Sequence, residues 1–125
     1  MNGIDFIADT NAIIYLLSGK PYMQPYEDAR LGVSVITEME LLSFPRITRD
    51  ELNNLHSLLS DCTIFPLNTA VKERAISVRR TYGTKLPDSI VASTALELGI
   101  PLVKADKGIK KIPELDLRLL EPIAQ

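Results

Sequence analysis

Short apolar segments alternate along this chain with longer segments that have helical spacing, and this alternation most strongly restricts the possible folds. Residues 4–8 and 101–105 are nearly all apolar, which is typical of strands buried on both faces of a parallel sheet. Turn and helix signals separate them from three further short strands. The predicted strands cover residues 4–8, 30–35, 62–67, 101–105 and 117–120.

Helix start and stop signals lie between the predicted strands. Thr48 to Glu51 has the capping-box pattern, Pro87 is typical of a first helical turn, and Gly99 is typical of a helix end. Strands that alternate with helices indicate an α/β chain, here a three-layer α/β/α sandwich with a central, mainly parallel sheet. The predicted helices cover residues 10–18, 37–44, 48–59, 69–82 and 87–98.

Length, cysteine content and charge narrow the functional classes. A chain of 125 residues is expected to form one domain, residues 1–125, and to fold without disulfides. With one cysteine, Cys62, and one histidine, His56, it has neither an intrachain disulfide nor a Cys-based zinc site. A cytoplasmic location is therefore expected. The net charge of -2 argues against a protein that passively coats nucleic acid, and no segment approaches the length of a membrane span.

Four carboxylates lie at the ends of predicted elements. Asp9 and Asp106 each end a buried apolar segment, whereas Glu40 and Asp88 are placed in the first turns of predicted helices. The carboxyl ends of parallel strands share one edge of a sheet, and sites form at that edge. If the four side chains converge there, their oxygen atoms form a pocket suited to hard divalent cations.

The position of Asp88 depends on the turn between two consecutive predicted helices. A tight helical hairpin would place Asp88 at the opposite edge of the sheet from Asp9. Residues 83–86 are long enough, in extended form, to return the chain to the edge of Asp9. The sequence leaves both arrangements open.

Each of the four acids also has an ordinary structural interpretation, and for any single residue the two interpretations carry about equal weight. Taken together, the structural interpretation is weaker, because Asp88 shares a helical stripe with apolar residues and a buried carboxylate needs a partner. The ordinary roles are a helix cap for Asp9, a capping box with Thr37 for Glu40, a favourable helix-dipole position for Asp88 and a turn for Asp106.

Motifs at four places resemble those of the PIN-domain family. They are Asp9-Thr10-Asn11 after the first strand, residues 34–42 with Glu40 directly before a leucine, residues 86–92 around Asp88, and residues 96–103. The resemblance covers nearly the whole chain. Within the family, the chain is most similar to the VapC-type toxins of bacterial and archaeal toxin–antitoxin pairs.

This resemblance implies a Mg²⁺- or Mn²⁺-dependent endoribonuclease. Asp9 and Asp106 would be the central metal ligands, and Asp88 would join them directly or through water. Glu40 would be a ligand or orient the attacking water. Thr10 and Asn11 would be supporting hydrogen-bond partners. The resemblance also implies an RNA substrate, a small antitoxin partner and a homodimer. The family's acidic residues correspond to Asp9, Glu40, Asp88 and Asp106.

The chain departs from the family pattern near Asp106. Lys104 stands two residues before this acid, where the family often has Thr or Ser, and residues 108–109 replace a frequent acidic–aromatic pair. Lysines nevertheless flank the acids. Lys85, Lys104 and Lys107 are therefore candidate contacts for RNA phosphates.

Two other functions remain open from the sequence. A PIN-like module that binds RNA or protein without cutting would have the same fold. A phosphoryl-transfer domain of the phosphatase or receiver type would also place an Asp after the first strand. The phosphatase pattern, however, usually has a second Asp two residues later, where this chain has Asn11.

Overall fold

A computed structural model describes residues 3–105 and 112–120 of the chain. Strands and helices alternate, as the sequence predicts. The strands are β1 (Phe6–Ala8), β2 (Leu31–Ser34), β3 (Thr63–Phe65), β4 (Leu102–Lys104) and β5 (Leu117–Leu119). The helices are α1 (Thr10–Leu17), α2 (Val35–Leu42), α3 (Arg49–Ser60), α4 (Thr69–Tyr82) and α5 (Leu86–Leu98), with a 3₁₀ segment at Pro21–Tyr26.

The five strands form one sheet in the order β3-β2-β1-β4-β5. Every strand pair in it is parallel, and Ile7 of β1 lies opposite Gly32 of β2 and Leu102 of β4. Because β1 is central and β4 is its neighbour, the residues that follow or end these two strands meet at the carboxyl edge of the sheet.

Two apolar clusters cover the two faces of this sheet. One joins Ala8 and Val103 to helices α1, α2 and α3, and the other joins Ile7 and Leu102 to helices α4 and α5. Successive residues of β1 and β4 thus point to opposite faces, as the two-residue period of a strand requires. The arrangement confirms the predicted three-layer sandwich.

The start of helix α2 differs from the prediction. The helix begins at Val35, two residues earlier than expected, because the Ser34 hydroxyl accepts a hydrogen bond from the Ile36 amide at 3.2 Å and caps it. Glu40 is therefore in the second turn of α2, not the first. The predicted capping box between Thr37 and Glu40 is wrong.

Other helix ends agree closely with their sequence signals. The capping box at Thr48 and Glu51 is confirmed, with both reciprocal hydrogen bonds formed. Gly99 ends α5 in the left-handed conformation, with a φ of 68°. The sequence did not predict the 3₁₀ segment, which buries Met23 against the first apolar cluster. No helix in the described residues is long and apolar enough to cross a membrane.

Candidate functional site

A pocket of about 450 Å³ lies at the carboxyl edge of β1 and β4. Among the described residues, its charged lining groups come from four different elements or their ends: the residue after β1, helix α2, helix α5 and the last residue of β4. They are Asp9, Glu40, Asp88 and Lys104. The other described lining residues are Thr10, Asn11, Ser43, Phe44, Pro45, Pro87 and Val91.

Asp9 is held rigidly at the floor of this pocket. Its backbone amide donates to the Val103 carbonyl at 3.1 Å, which ties it to strand β4. One carboxylate oxygen, Oδ1, caps helix α1 by accepting from the Ala12 amide at 2.8 Å. The predicted cap is therefore present, and the second oxygen, Oδ2, is directed to a different partner.

That partner is Lys104. Its ammonium donates to Asp9 Oδ2 at 3.1 Å and lies 3.5 Å from Asp88 Oδ1. The Lys104 side chain is only 3% exposed and that of Asp9 only 7%, whereas that of Asp88 is 34% exposed. A buried ammonium requires paired carboxylates, and within the described part of the chain two carboxylates from separate elements pair with it.

Glu40 reaches the same pocket from helix α2. Its carboxylate oxygen Oε1 accepts a hydrogen bond from the Thr10 hydroxyl at 2.6 Å. Thr10 directly follows Asp9, so this bond joins helix α2 to the start of α1. The sequence predicted a supporting role for Thr10, and the structure shows which acid it contacts.

The chain between α4 and α5 brings Asp88 to this edge rather than the opposite one. Gly83 ends α4 in the left-handed conformation, with a φ of 70°. The Arg79 guanidinium then donates to the Thr84 carbonyl at 3.0 Å, and the buried Thr84 and Ser89 hydroxyls lie 2.5 Å apart. These contacts fix the start of α5 and place Asp88 in its first turn.

The other predicted site residues divide into two groups. Asn11 lines the pocket and is exposed, and Lys85 is exposed directly before the first residue of α5. Asp106 and Lys107 lie outside the described residues. The prediction of their roles therefore stays a prediction.

Sequence reasoning missed the ion pair between Lys104 and Asp9. Lys104 was a candidate contact for RNA phosphates, but its ammonium is buried within the pocket. A signal was available, because Lys104 lies within the otherwise apolar strand predicted for residues 101–105, which was expected to be buried on both faces. A lysine at such a position needs an acidic partner nearby.

The donor chemistry of the pocket fits a divalent metal. Within residues 3–105 and 112–120, no three Asp, Glu, His or Cys side chains are grouped closely enough to form a metal site. Two carboxylates nevertheless meet on one cation, the Lys104 ammonium, and carboxylate oxygens are the ligands that Mg²⁺ and Mn²⁺ prefer. Cys62 is not among the lining residues, and burial raises the pKa of its thiol, so it is not an activated nucleophile.

Comparison with known families agrees with this geometry. The sequence profile of the PIN domain matches residues 6–115. The chain belongs to the PIN-domain family. The matched residues include Asp9, Glu40 and Asp88, the three acids that line the pocket within the described part of the chain.

Solved structures share this PIN fold over nearly the whole chain. A toxin–antitoxin complex from Klebsiella pneumoniae has a chain 25% identical, with a TM-score of 0.80, that covers 95% of this PIN domain and 100% of its own length. VapBC2 from Rickettsia felis, bound to a promoter DNA fragment, has a chain that is 18% identical, with a TM-score of 0.81. The alignment covers 94% of this PIN domain and 100% of that chain. VapBC-1 from nontypeable Haemophilus influenzae has a chain that is 21% identical, with a TM-score of 0.78. The alignment covers 94% of this PIN domain and 98% of that chain. A search of curated proteins finds no match.

Proposed function

We propose that this PIN domain is a divalent-metal-dependent endoribonuclease and the toxin of a type II toxin–antitoxin pair. The observation that supports this most directly is the meeting of Asp9 and Asp88 on one cation, in a pocket that Glu40 also lines. Membership of the PIN-domain family favours a nuclease over a phosphatase or receiver. The toxin role is inferred from the toxin–antitoxin complexes that share the fold.

The proposed cofactor is Mg²⁺ or Mn²⁺. It would supply a nucleophile from water at neutral pH and neutralise charge that develops on the phosphate. The proposed ligands combine the three described acids of the pocket with one that sequence alone assigns. They are Asp9, Glu40, Asp88 and Asp106.

The protein's own groups would fix the ligand positions. Asp9 cannot rotate freely because one of its oxygens caps α1. The Thr10 hydroxyl holds Glu40 where it can act as a ligand or orient the attacking water. The proposed contacts for RNA phosphates are the exposed Lys85 and, from the sequence alone, Lys107, with Asn11 as a supporting hydrogen-bond partner.

A small antitoxin is the proposed protein partner. A second groove, of about 830 Å³, is lined by apolar side chains of α1, α2, α3 and the loop between α2 and α3, and by polar side chains that include Arg46, Glu51 and Asp61. Phe44 and Pro45 line both this groove and the acidic pocket. An apolar segment of an antitoxin lying in the groove would therefore reach the mouth of the pocket. A homodimer in the cytoplasm is proposed for the toxin itself.

Cleavage of RNA tests the enzymatic proposal. End-labelled single-stranded and hairpin RNAs are incubated with the protein in Mn²⁺, in Mg²⁺ and in EDTA. The wild type should cut them only with metal. The Glu40→Gln variant should cut at least about 100-fold more slowly, because several kcal/mol of charge stabilisation are lost.

Two matched variants control for changes in the fold. Glu38→Gln alters the neighbouring acid of α2 that does not line the pocket. Asp5→Asn alters an acid at the other end of β1, paired with Arg30, and is the control for Asp88→Asn. Both controls should cut RNA at the wild-type rate. Asp88→Asn, like Glu40→Gln, should cut RNA more slowly than its control. If Glu40→Gln and Asp88→Asn cut as fast as the two controls, the pocket is not the active site.

A second candidate function is RNA or protein binding without catalysis. The Lys104 ammonium favours it, because it already partly neutralises Asp9 and Asp88 without any metal. This alternative predicts RNA binding in electrophoretic mobility assays and no cleavage with either metal. Metal-dependent cleavage by the wild type would refute it.

A further inference from the structure

We propose that Lys104 is a built-in cation of the acidic pocket, which takes the place of one metal ion between Asp9 and Asp88 and leaves room for a single divalent ion. This inference rests on the proposed metal-dependent function. It assigns to Lys104 a positioning role and it sets the number of metal ions that the pocket holds.

The Lys104 ammonium lies between the two carboxylates that a shared metal ion would otherwise join. The Lys104 nitrogen lies 3.1 Å from Asp9 Oδ2 and 3.5 Å from Asp88 Oδ1. A divalent ion shared by the same two oxygens would occupy the space that the ammonium fills. The remaining acid of the described pocket, Glu40, is bonded to Thr10 instead.

The backbone of Lys104 fixes this position from the sheet. Lys104 is the last residue of β4, and its carbonyl accepts from the Leu120 amide at 2.8 Å. On the other side, β4 is bonded to Asp9 through Val103. Since strands β1 and β4 are adjacent and in fixed register, the ammonium cannot leave the carboxylates without a change of side-chain rotamers in a buried site.

The charges of the described lining agree with one divalent ion. Asp9, Glu40 and Asp88 carry three negative charges, and Lys104 carries one positive charge. The formal charge of these four groups is -2, and the proposed ligand Asp106 would make it -3. One Mg²⁺ or Mn²⁺ neutralises all or most of this charge, whereas two such ions would leave an excess of positive charge. Without the lysine, the same carboxylates would repel each other more strongly and attract a further cation.

Mn²⁺ binding by calorimetry, with bound metal counted by mass spectrometry, tests the inference. The wild type should bind one Mn²⁺ per chain. Lys104→Met, which keeps an unbranched side chain and removes the ammonium with its charge, should bind two. Lys104→Arg, which keeps the charge, should again bind one. Two Mn²⁺ ions on the wild type, or only one on Lys104→Met, would overturn the inference.

Thermal unfolding provides a second readout if Lys104→Met is poorly folded without metal. The variant should unfold at a lower temperature than the wild type in EDTA, and saturating Mn²⁺ should raise its Tm by more than it raises that of the wild type. An equal or smaller rise would contradict the inference.

A wild type that binds one Mn²⁺ but cuts no RNA would refute the proposed nuclease and not the role of Lys104. A wild type that cuts RNA but binds two Mn²⁺ ions would refute only the role of Lys104.

Discussion

The ion pair between Asp9 and Lys104 makes a quantitative prediction for Asp9→Asn. Removing one partner of a buried ion pair costs roughly 3–5 kcal/mol, because the other charge stays buried. Two features of the structure reduce this figure. Asparagine caps a helix about as well as aspartate, so the cap of α1 is retained. The Lys104 ammonium also retains Asp88 as a partner, at 3.5 Å. We therefore expect a loss of about 2–3 kcal/mol in the free energy of unfolding.

This loss is large enough to measure in two ways. The entropy of unfolding is about 2.1 cal/mol/K per residue, so 1 kcal/mol shifts the Tm of a 125-residue chain by about 4 °C. Asp9→Asn should therefore melt about 8–12 °C below the wild type. Urea unfolding at pH 7, in EDTA so that no metal contributes, should show a lower midpoint and an unchanged slope.

The double variant Asp9→Asn/Lys104→Met separates the ion pair from other effects of the substitutions. With both charges removed, neither is left buried alone, so the double variant should be at least about 1 kcal/mol more stable than the sum of the single effects predicts. Additivity within about 0.5 kcal/mol would refute the reasoning. An Asp9→Asn variant as stable as the wild type would refute it as well.

Four further outcomes are expected. Gly32→Ala should lower the free energy of unfolding by about 1–3 kcal/mol in urea titration, since its added Cβ would lie 2.5 Å from Cε2 of the Phe65 ring. Thr48→Ala should cost about 1 kcal/mol in the same assay, because it removes the cap of α3. The backbone hydrogen bond from Thr48 lowers the pKa of Glu51 below 4.5. The stability that this carboxylate contributes should therefore be complete above pH 4.5 and be lost as the pH falls through the lower folded-state pKa, so that Glu51→Gln and wild type converge in acid melting curves. Lys85→Ala, made in the Glu40→Gln background, should reduce the slope of log affinity for RNA against log salt by about 1 in filter binding.

The role of Asp9 shows how much of the site the sequence could predict. An acid that follows a buried strand and precedes a helix can be a helix cap or a metal ligand. Both interpretations of Asp9 come from the sequence pattern directly around it. The structure contains the cap and leaves the second oxygen for a cation. The two roles are compatible, because each uses a different oxygen of one carboxylate. The cap is observed, and the role as a metal ligand stays a prediction.

The position of Glu40 was predicted for partly wrong reasons. The acid does lie beside the carboxyl edge, but α2 is capped by Ser34 and begins at Val35, so Glu40 reaches the pocket from the second turn of the helix. Thr37 and Ser34 are both plausible caps by composition. The choice between them depends on where strand β2 stops pairing with its neighbours, and a local pattern does not contain that information.

The alternation of strands and helices, the cap at Thr48 and the helix end at Gly99 were determined by the sequence alone. They rest on hydrogen bonds and apolar periodicity within a few neighbouring residues. The contact between Lys104 and Asp9 joins residues 95 positions apart. Only the tertiary structure decided it, because it requires β4 to pair with β1 rather than with another strand. The return of Asp88 to the same edge likewise depended on the packing of α4 against α5, which sets the direction of the chain after Gly83.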